Sequence, residues 1–299
     1  MTKAMFVLAH LSDPHLAPLP RPHVSELFGK RVTGLINWQR KRRLIHRADI
    51  LARIVADLAT QAPDHIAVTG DLLNISLEGE FPPARAWLAA LGPPDTVSLV
   101  PGNHDAYVRA AAHSPRLHWG DYMRGDRAPE PAFPFLRRRG PLALIGLSSA
   151  VPTAPFIATG RLGADQLARL AELLDRCAGE RLFRVVLIHH PPASKPGRHF
   201  KRLVDGSELR ATLRQYGAEL VIHGHDHERS VIYLDGPGRA IPVVGVPSAS
   251  EAPPGEHDAA GYNLYRIEGA IDAWRCEVVS RGISADAASV VESGRMPLS

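Results

Sequence analysis

Strand-length apolar runs alternate with amphipathic helical stretches along most of the chain. MFVLAHLSD is a nearly continuous apolar run that turns polar at its end, as a buried strand does on reaching a loop. In HRADILARIVADLATQ, residues Ile50, Leu51, Ile54, Val55 and Leu58 share one helical face. HIAVTGD predicts a strand, and EGEFPPARAWLAALG a helix with Pro82 and Pro83 in its first turn and Gly92 at its end. TVSLVPGNHD and PLALIGLSS predict strands. GADQLARLAELLDRC predicts a helix turning Leu167, Leu170, Ala171 and Leu174 inward. RVVLIHHPP (strand), DGSELRATLRQYG (helix) and AELVIHGHDH (strand) follow. Beyond them the pattern is β alone: RSVIYLD, AIPVVGVPSAS, GYNLYRIEG and IDAWRCEVV. The stretch from Pro14 to about Gln39 reads as irregular, and Ala106 to Arg139 shows no usable period.

Strands alternating with helices predict an α/β protein. The β-only stretch adds a second sheet or extends the first, and helices outside two stacked sheets fit the order. We read residues 1–280 as one domain and 281–299 as a frayed C-terminal tail. The 299 residues, 45% hydrophobic and 22% charged, are ordinary for a globular chain. No window is apolar enough to span a membrane. The first residues lack the features of a signal peptide, so a cytoplasmic location is the default expectation. Cys177 and Cys276 lie far apart and outside any CxxC spacing, which predicts reduced fillers. A net charge of +4 suits an anionic substrate but is too small to argue for nucleic acid.

The chemistry collects at strand ends. Asp13 and His15, Asp71, Asn103 and His104, His189 and His190, then His223, His225 and His227 each follow an apolar run. Any one of these is ordinarily a turn or a hydrogen-bonded interior histidine. All of them in series are hard to read that way, because ligands in α/β sheets bind beyond the carboxyl ends of strands. Carboxylate oxygen and imidazole nitrogen suit divalent ions, and no thiolate is offered. A neutral Asn oxygen limits negative charge where a phosphate ester must enter.

The ordered blocks DPH, GD, GNHD, HHPP and GHDH resemble the calcineurin-like metallophosphoesterase superfamily, in its bacterial phosphodiesterase branch. That family's pattern is DxH, GDxx, GNH[DE], a separate H and GHxH. The resemblance implies a four-layer αββα sandwich with a dinuclear site at the strand ends, holding two divalent ions (Mn, Fe or Zn). It assigns Asp13, His15 and His227 to one ion and Asn103, His189 and His225 to the other, with Asp71 bridging. It makes His104 the histidine that meets the phosphate and leaving group, and Asp105 the residue that holds His104. Gly224 would allow the tight turn that sends His225 and His227 to different ions, and His223 would pack behind the site.

The substrate is less defined. The resemblance implies a small phosphoester, a nucleotide or a nucleotide-linked lipid, and includes cyclic-nucleotide phosphodiesterases. Those relatives read GDLTD where this chain reads GDLLN. The insert ELFGKRVTGLINWQRKRRLIHR, within about residues 16–47, resembles an element of UDP-2,3-diacylglucosamine pyrophosphatases of lipid A synthesis, where it would cap the site. Its cations Arg40, Lys41, Arg42, Arg43 and Arg47, beside Leu27, Phe28, Leu35, Ile36 and Trp38, are compatible with peripheral contact to an anionic membrane or with a solvated helix packed on the domain. A nuclease would need an extended basic groove that is not evident. A non-catalytic interaction module is disfavoured because the whole ligand set and His104 are present.

Overall fold

The computed structural model describes residues 5–254, 257–269 and 273–298. In chain order the elements begin with β1 (Met5–Leu11), α1 (Lys30–Asn37), α2 (Arg43–Ile45), α3 (Ala48–Thr60), β2 (His65–Val68), α4 (Phe81–Leu91), β3 (Val97–Leu99) and α5 (Ser114–Trp119). Next come β4 (Phe135–Arg139), β5 (Leu142–Gly146), α6 (Ala164–Gly179), β6 (Phe183–Leu187), α7 (Gly206–Tyr216) and β7 (Leu220–His223). The chain ends with β8 (Ser230–Leu234), β9 (Ile241–Gly245), β10 (Gly261–Glu268), β11 (Arg275–Ile283) and β12 (Val290–Pro297). One six-stranded sheet runs β12-β11-β10-β1-β2-β3 and the other β4-β5-β6-β7-β9-β8.

Alternation along the strands explains the layering. On β1, Leu8 joins the core between the two sheets, while Ala9 and Leu11 face the outer core under α3 and α4. On β6, Val185 and Leu187 point between the sheets and Val186 points to α6 and α7, where Leu170, Leu174, Leu209 and Leu213 meet it. The central strands are therefore buried on both faces, which is why they read as apolar runs rather than as alternating ones. The architecture is helix, sheet, sheet, helix, as predicted.

Three stretches differ from the sequence reading. The segment read as irregular carries α1, which continues through a π-helical turn at Trp38–Arg42 into α2. Gly34 seats this insert on the domain: a Cβ there would collide with the side chains of Ile75 and Tyr107. Leu35 packs beside the same residues, whereas Phe28, Ile36 and Leu44 are exposed. Phe135–Arg139 forms a strand inside a region with no usable period. After residue 280, where a frayed tail is predicted, β11 continues to Ile283 and β12 pairs with it antiparallel. The strand read from Ile271 is described only from Ala273 onward, its first two residues lying outside the described residues. Among the described residues no helix is long and apolar enough to cross a membrane.

Candidate metal centre

Parallel strands β1, β2, β6 and β7 all point their carboxyl ends at one place. The loops that follow turn back sharply. Asp13, His15, Asp71, His225 and His227 adopt φ of 52°, 39°, 55°, 69° and 56°, in the left-handed region that side chains with a Cβ avoid. Backbone bonds hold them there: Asp13 N–H donates to Gly70 O (2.9 Å), His15 N–H to Asp71 O (3.1 Å), and His225 N–H to the Asp13 carboxylate (3.0 Å). Gly224 serves differently from the tight-turn role predicted for it. Its φ is not positive; a Cβ at that position would run into Ser12 and the Asp13 carboxylate.

The predicted ligands converge in two groups. In the first, His227 Nε2 lies 3.2 Å from Asp13 Oδ1 and 3.4 Å from His15 Nε2. In the second, His189 Nε2 lies 3.2 Å from Asn103 Oδ1, 3.2 Å from His225 Nδ1 and 3.3 Å from Asp71 Oδ2. Asp71 reaches both, since an oxygen of it also lies within 4.8 Å of ligand atoms of Asp13 and His15. His225 and His227 thus point into different groups, although one residue separates them.

The outer nitrogens fix how these rings present themselves. A carbonyl can only accept, so the ring nitrogen facing it carries the hydrogen. His15 Nδ1–H donates to Leu73 O (2.9 Å), His189 Nδ1–H to Thr69 O (2.6 Å) and His225 Nε2–H to Lys201 O (2.8 Å). His227 Nδ1 faces Glu251 Oε2 at 3.4 Å. Every ring thereby turns its other nitrogen inward, the arrangement that metal-bound histidines use.

Inward-facing lone pairs this close repel unless a cation sits among them. Asp13 Oδ1 is also buried with no hydrogen-bond partner. Burial opposes a charge on His189, yet Asp71 beside it raises its pKa to about 10. Burial likewise opposes a charge on His227, and Asp13 raises it to about 9. The carboxylates call for positive charge at those nitrogens, and a divalent ion in each group meets the demand. The donor set, oxygen and imidazole without sulfur, fits a dinuclear divalent centre.

His104 and Asp105 need separate treatment. The His104 ring donates from Nδ1 to Asn74 O, and its Nε2 accepts from Arg42 Nη1 at 2.9 Å. Burial first, then Arg42, lower its pKa to about 3, so the ring is neutral. Asp105 does not hold His104. Its carboxylate accepts from the backbone N–H groups of Asp71, Leu72, Leu73 and Gly102 at 2.9–3.1 Å, clamping two ligand-bearing loops together.

His190 lies beside the second group, a ring nitrogen of it within 4.8 Å of those of His189 and His225, but both its nitrogens have other partners; His223 also bonds elsewhere. The two nitrogens of His190 engage Ser149 Oγ (2.8 Å) and Ala158 O (3.1 Å), and His223 Nδ1 faces Gly224 O (3.0 Å). Three residues at the site carry no motif in the sequence: Arg42, His46 and Glu251. The His46 ring lies tilted against the His15 ring, centroids 4.5 Å apart, and bonds Ser250 Oγ (2.9 Å). Glu251 also binds the His257 N–H (3.0 Å).

A sequence model described as calcineurin-like phosphoesterase matches residues 6–229. No curated protein sequence matches the chain. Among solved structures it is similar to a dimetal phosphatase from Danio rerio, with 12% identity, 98% of this chain and 99% of that one covered, and a TM-score of 0.64. It is also similar to the purple acid phosphatase PPD1 of yellow lupin, with 13% identity, 96% and 53% covered, and a TM-score of 0.55. A third neighbour is GAP50 of Plasmodium, described as the anchor in the inner membrane complex, with 12% identity, 99% and 89% covered, and a TM-score of 0.51. These identities support the fold alone, which phosphatases and an anchor share.

Proposed function

The chain belongs to the calcineurin-like phosphoesterase family, and from that premise we propose that it is a divalent-metal-dependent phosphodiesterase. Two cavities meeting at His104 carry the proposal. One, of about 310 Å³, holds Asp71, Asn103, His225, His227 and Glu251. The other, of about 680 Å³, is walled by the insert and by Tyr107, Phe156 and Ile157. Asn37, Lys41, Arg42, Asn103, His104 and Ala158 line both. A monoester places its phosphoryl group in the first and its one substituent in the second. A diester carries a second substituent, and the larger cavity falls within the roughly 300–1,000 Å³ of small-molecule sites.

Asp13, His15, His227 and Asp71 would hold one ion and Asp71, Asn103, His189 and His225 the other, with Mn, Fe or Zn as the candidates. Such an ion pair supplies, when bound, a water made nucleophilic near neutral pH and a clamp for phosphoryl oxygens. The protein's own contributions surround this. Thr69, Leu73, Lys201 and Glu251 orient the imidazoles. Asn103 contributes a neutral oxygen, and His104 stands at the junction where the leaving group departs toward the larger cavity.

A second substrate is favoured by Lys30 and Arg40 in that larger cavity. They would meet a further phosphate, as in the pyrophosphate of a nucleotide-linked lipid such as UDP-2,3-diacylglucosamine, in preference to a cyclic nucleotide. Purified protein with added Mn²⁺ should be assayed against bis-p-nitrophenyl phosphate, p-nitrophenyl phosphate, a cyclic nucleotide, UDP-2,3-diacylglucosamine and single-stranded DNA. Diesters or the pyrophosphate should turn over faster than the monoester, and a chelator should abolish turnover. A preference for the monoester would overturn the proposal, and cleavage of DNA alone would make the protein a nuclease.

A further inference from the structure

We infer that Arg42, from the insert, binds the phosphoryl oxygens of the substrate, so that residues 30–45 form a wall of the active site. The inference rests on the phosphodiester proposal for the same site. It starts from the chain: the helix running from Lys30 loosens into a π-helical turn at Trp38–Arg42 before α2. Such turns change which way a side chain projects and are frequent at functional sites. Here Arg42 projects to the boundary of the two cavities and lines both.

What surrounds the guanidinium is the main observation. Nη1 donates to His104 Nε2 at 2.9 Å, and Nη2 lies 3.5 Å from His46 Nε2. Nε is buried and has no hydrogen-bond partner. Among the described residues no carboxylate lies within ion-pair distance of it, whereas Arg47, Arg139 and Arg184 each have one. A half-buried guanidinium with no carboxylate against it gains from an anion that reaches it. The nearby carboxylates Asp13 and Asp71 face the ion ligands instead. Guanidinium is a planar fork matched to two phosphate oxygens. The counter-ion that Arg42 lacks is therefore the anion that enters the site.

Arg42 is also held in place. His46 bonds Ser250 Oγ, Arg47 N–H donates to Ser250 O (2.9 Å), and Ala252 N–H donates to Ile45 O (2.9 Å). At the other end Lys30 Nζ bonds Thr153 Oγ1 (2.6 Å) and Ile157 O (2.9 Å). His104, whose Nδ1–H donates to Asn74 O, accepts through Nε2 and orients the guanidinium.

The test compares Arg42→Ala and Arg42→Lys with Arg43→Ala, an exposed neighbour. Metal content, thermal unfolding, affinity for inorganic phosphate by calorimetry, and kcat and KM for bis-p-nitrophenyl phosphate are measured on each. Arg42→Ala should keep its metal and melting point, bind phosphate at least tenfold more weakly, and lose about 10²–10³-fold in kcat/KM, as loss of one preorganised donor does. Guanidinium at millimolar concentration should restore part of the rate. Arg43→Ala should match the wild type. If Arg42→Ala does not fold, Arg42→Lys decides: it keeps the charge, lacks the fork, and should still lose tenfold in phosphate affinity. Unchanged phosphate affinity, or a loss of metal in both variants, would overturn the inference. Phosphate binding that depends on Arg42 in a protein without diester turnover would remove the functional proposal and leave Arg42 as an anion site.

Discussion

Asp105→Asn distinguishes a clamp from a catalytic partner. In the structure Asp105 Oδ2 accepts from Asp71 N–H and Gly102 N–H, both at 2.9 Å, and Oδ1 from Leu72 N–H (2.9 Å) and Leu73 N–H (3.1 Å). The side chain is fully buried, so water cannot substitute. An asparagine keeps one oxygen and replaces the other with a nitrogen that only donates. Two backbone donors then face a donor. Each orphaned buried donor costs about 1–3 kcal/mol, so the pair costs roughly 4 kcal/mol. At about 2–4 °C per kcal/mol for a large domain, Tm should fall by roughly 10 °C. Thermal unfolding followed by circular dichroism, with chelator present, isolates this from ion binding. A residue whose task was to orient His104 would give the opposite signature, with turnover lost and Tm kept. A fall of under about 2 °C, beside lost turnover, would refute the clamp.

Three further substitutions address the ions and His104. Asp71→Asn removes the charge both groups share and should reduce bound metal from two equivalents to one or none by elemental analysis; two retained equivalents would exclude a bridge. Glu251→Gln weakens the acceptor behind His227 and should lower the affinity for one ion by about 10–100-fold in a calorimetric titration, the usual effect of losing an outer partner; an unchanged titration would make Glu251 a structural acid only. His104→Ala should retain both ions and, by releasing the Arg42 guanidinium it orients, lose about 10²–10³-fold in kcat/KM; a lost ion would make His104 a ligand.

Much of the fold was readable because the central strands are buried on both faces and leave apolar runs. What escaped did so for physical reasons. In Phe135–Arg139 the sequence FLRRR offers no apolar alternation, yet Arg137 is buried, donating to the carbonyls of Arg124, Pro94, Val97 and Asp121. Only the folded chain gathers those acceptors. β12 is an edge strand whose residues are mostly exposed, so burial imposed no pattern on it. The helix at 30–45 buries a narrow face, Gly34 and Leu35 on Ile75 and Tyr107, while Ile36 and Leu44 point outward. At the site, the candidate ligands sit in short blocks at strand ends, and the structure brings these blocks together. Arg42, His46 and Glu251 are single residues that meet the site only through tertiary contacts.

The ligand loops also set a condition on the fold itself. Asp13, His15, Asp71, His225 and His227 all hold left-handed backbone conformations. A non-glycine residue there costs roughly 1–2 kcal/mol, so the five together approach the whole stability of an ordinary domain, about 5–15 kcal/mol. The loop hydrogen bonds and the Asp105 clamp offset part of this. Ions bound there would offset more, since a ligand at a thousand times its Kd adds about 4 kcal/mol to the folded state. Those bonds therefore keep the candidate ligand atoms aimed at one another, and a bound ion would return the stability that the aiming consumes. A chain with relaxed loops would melt later without metal and would have no reason to bring two carboxylates and four imidazoles this close.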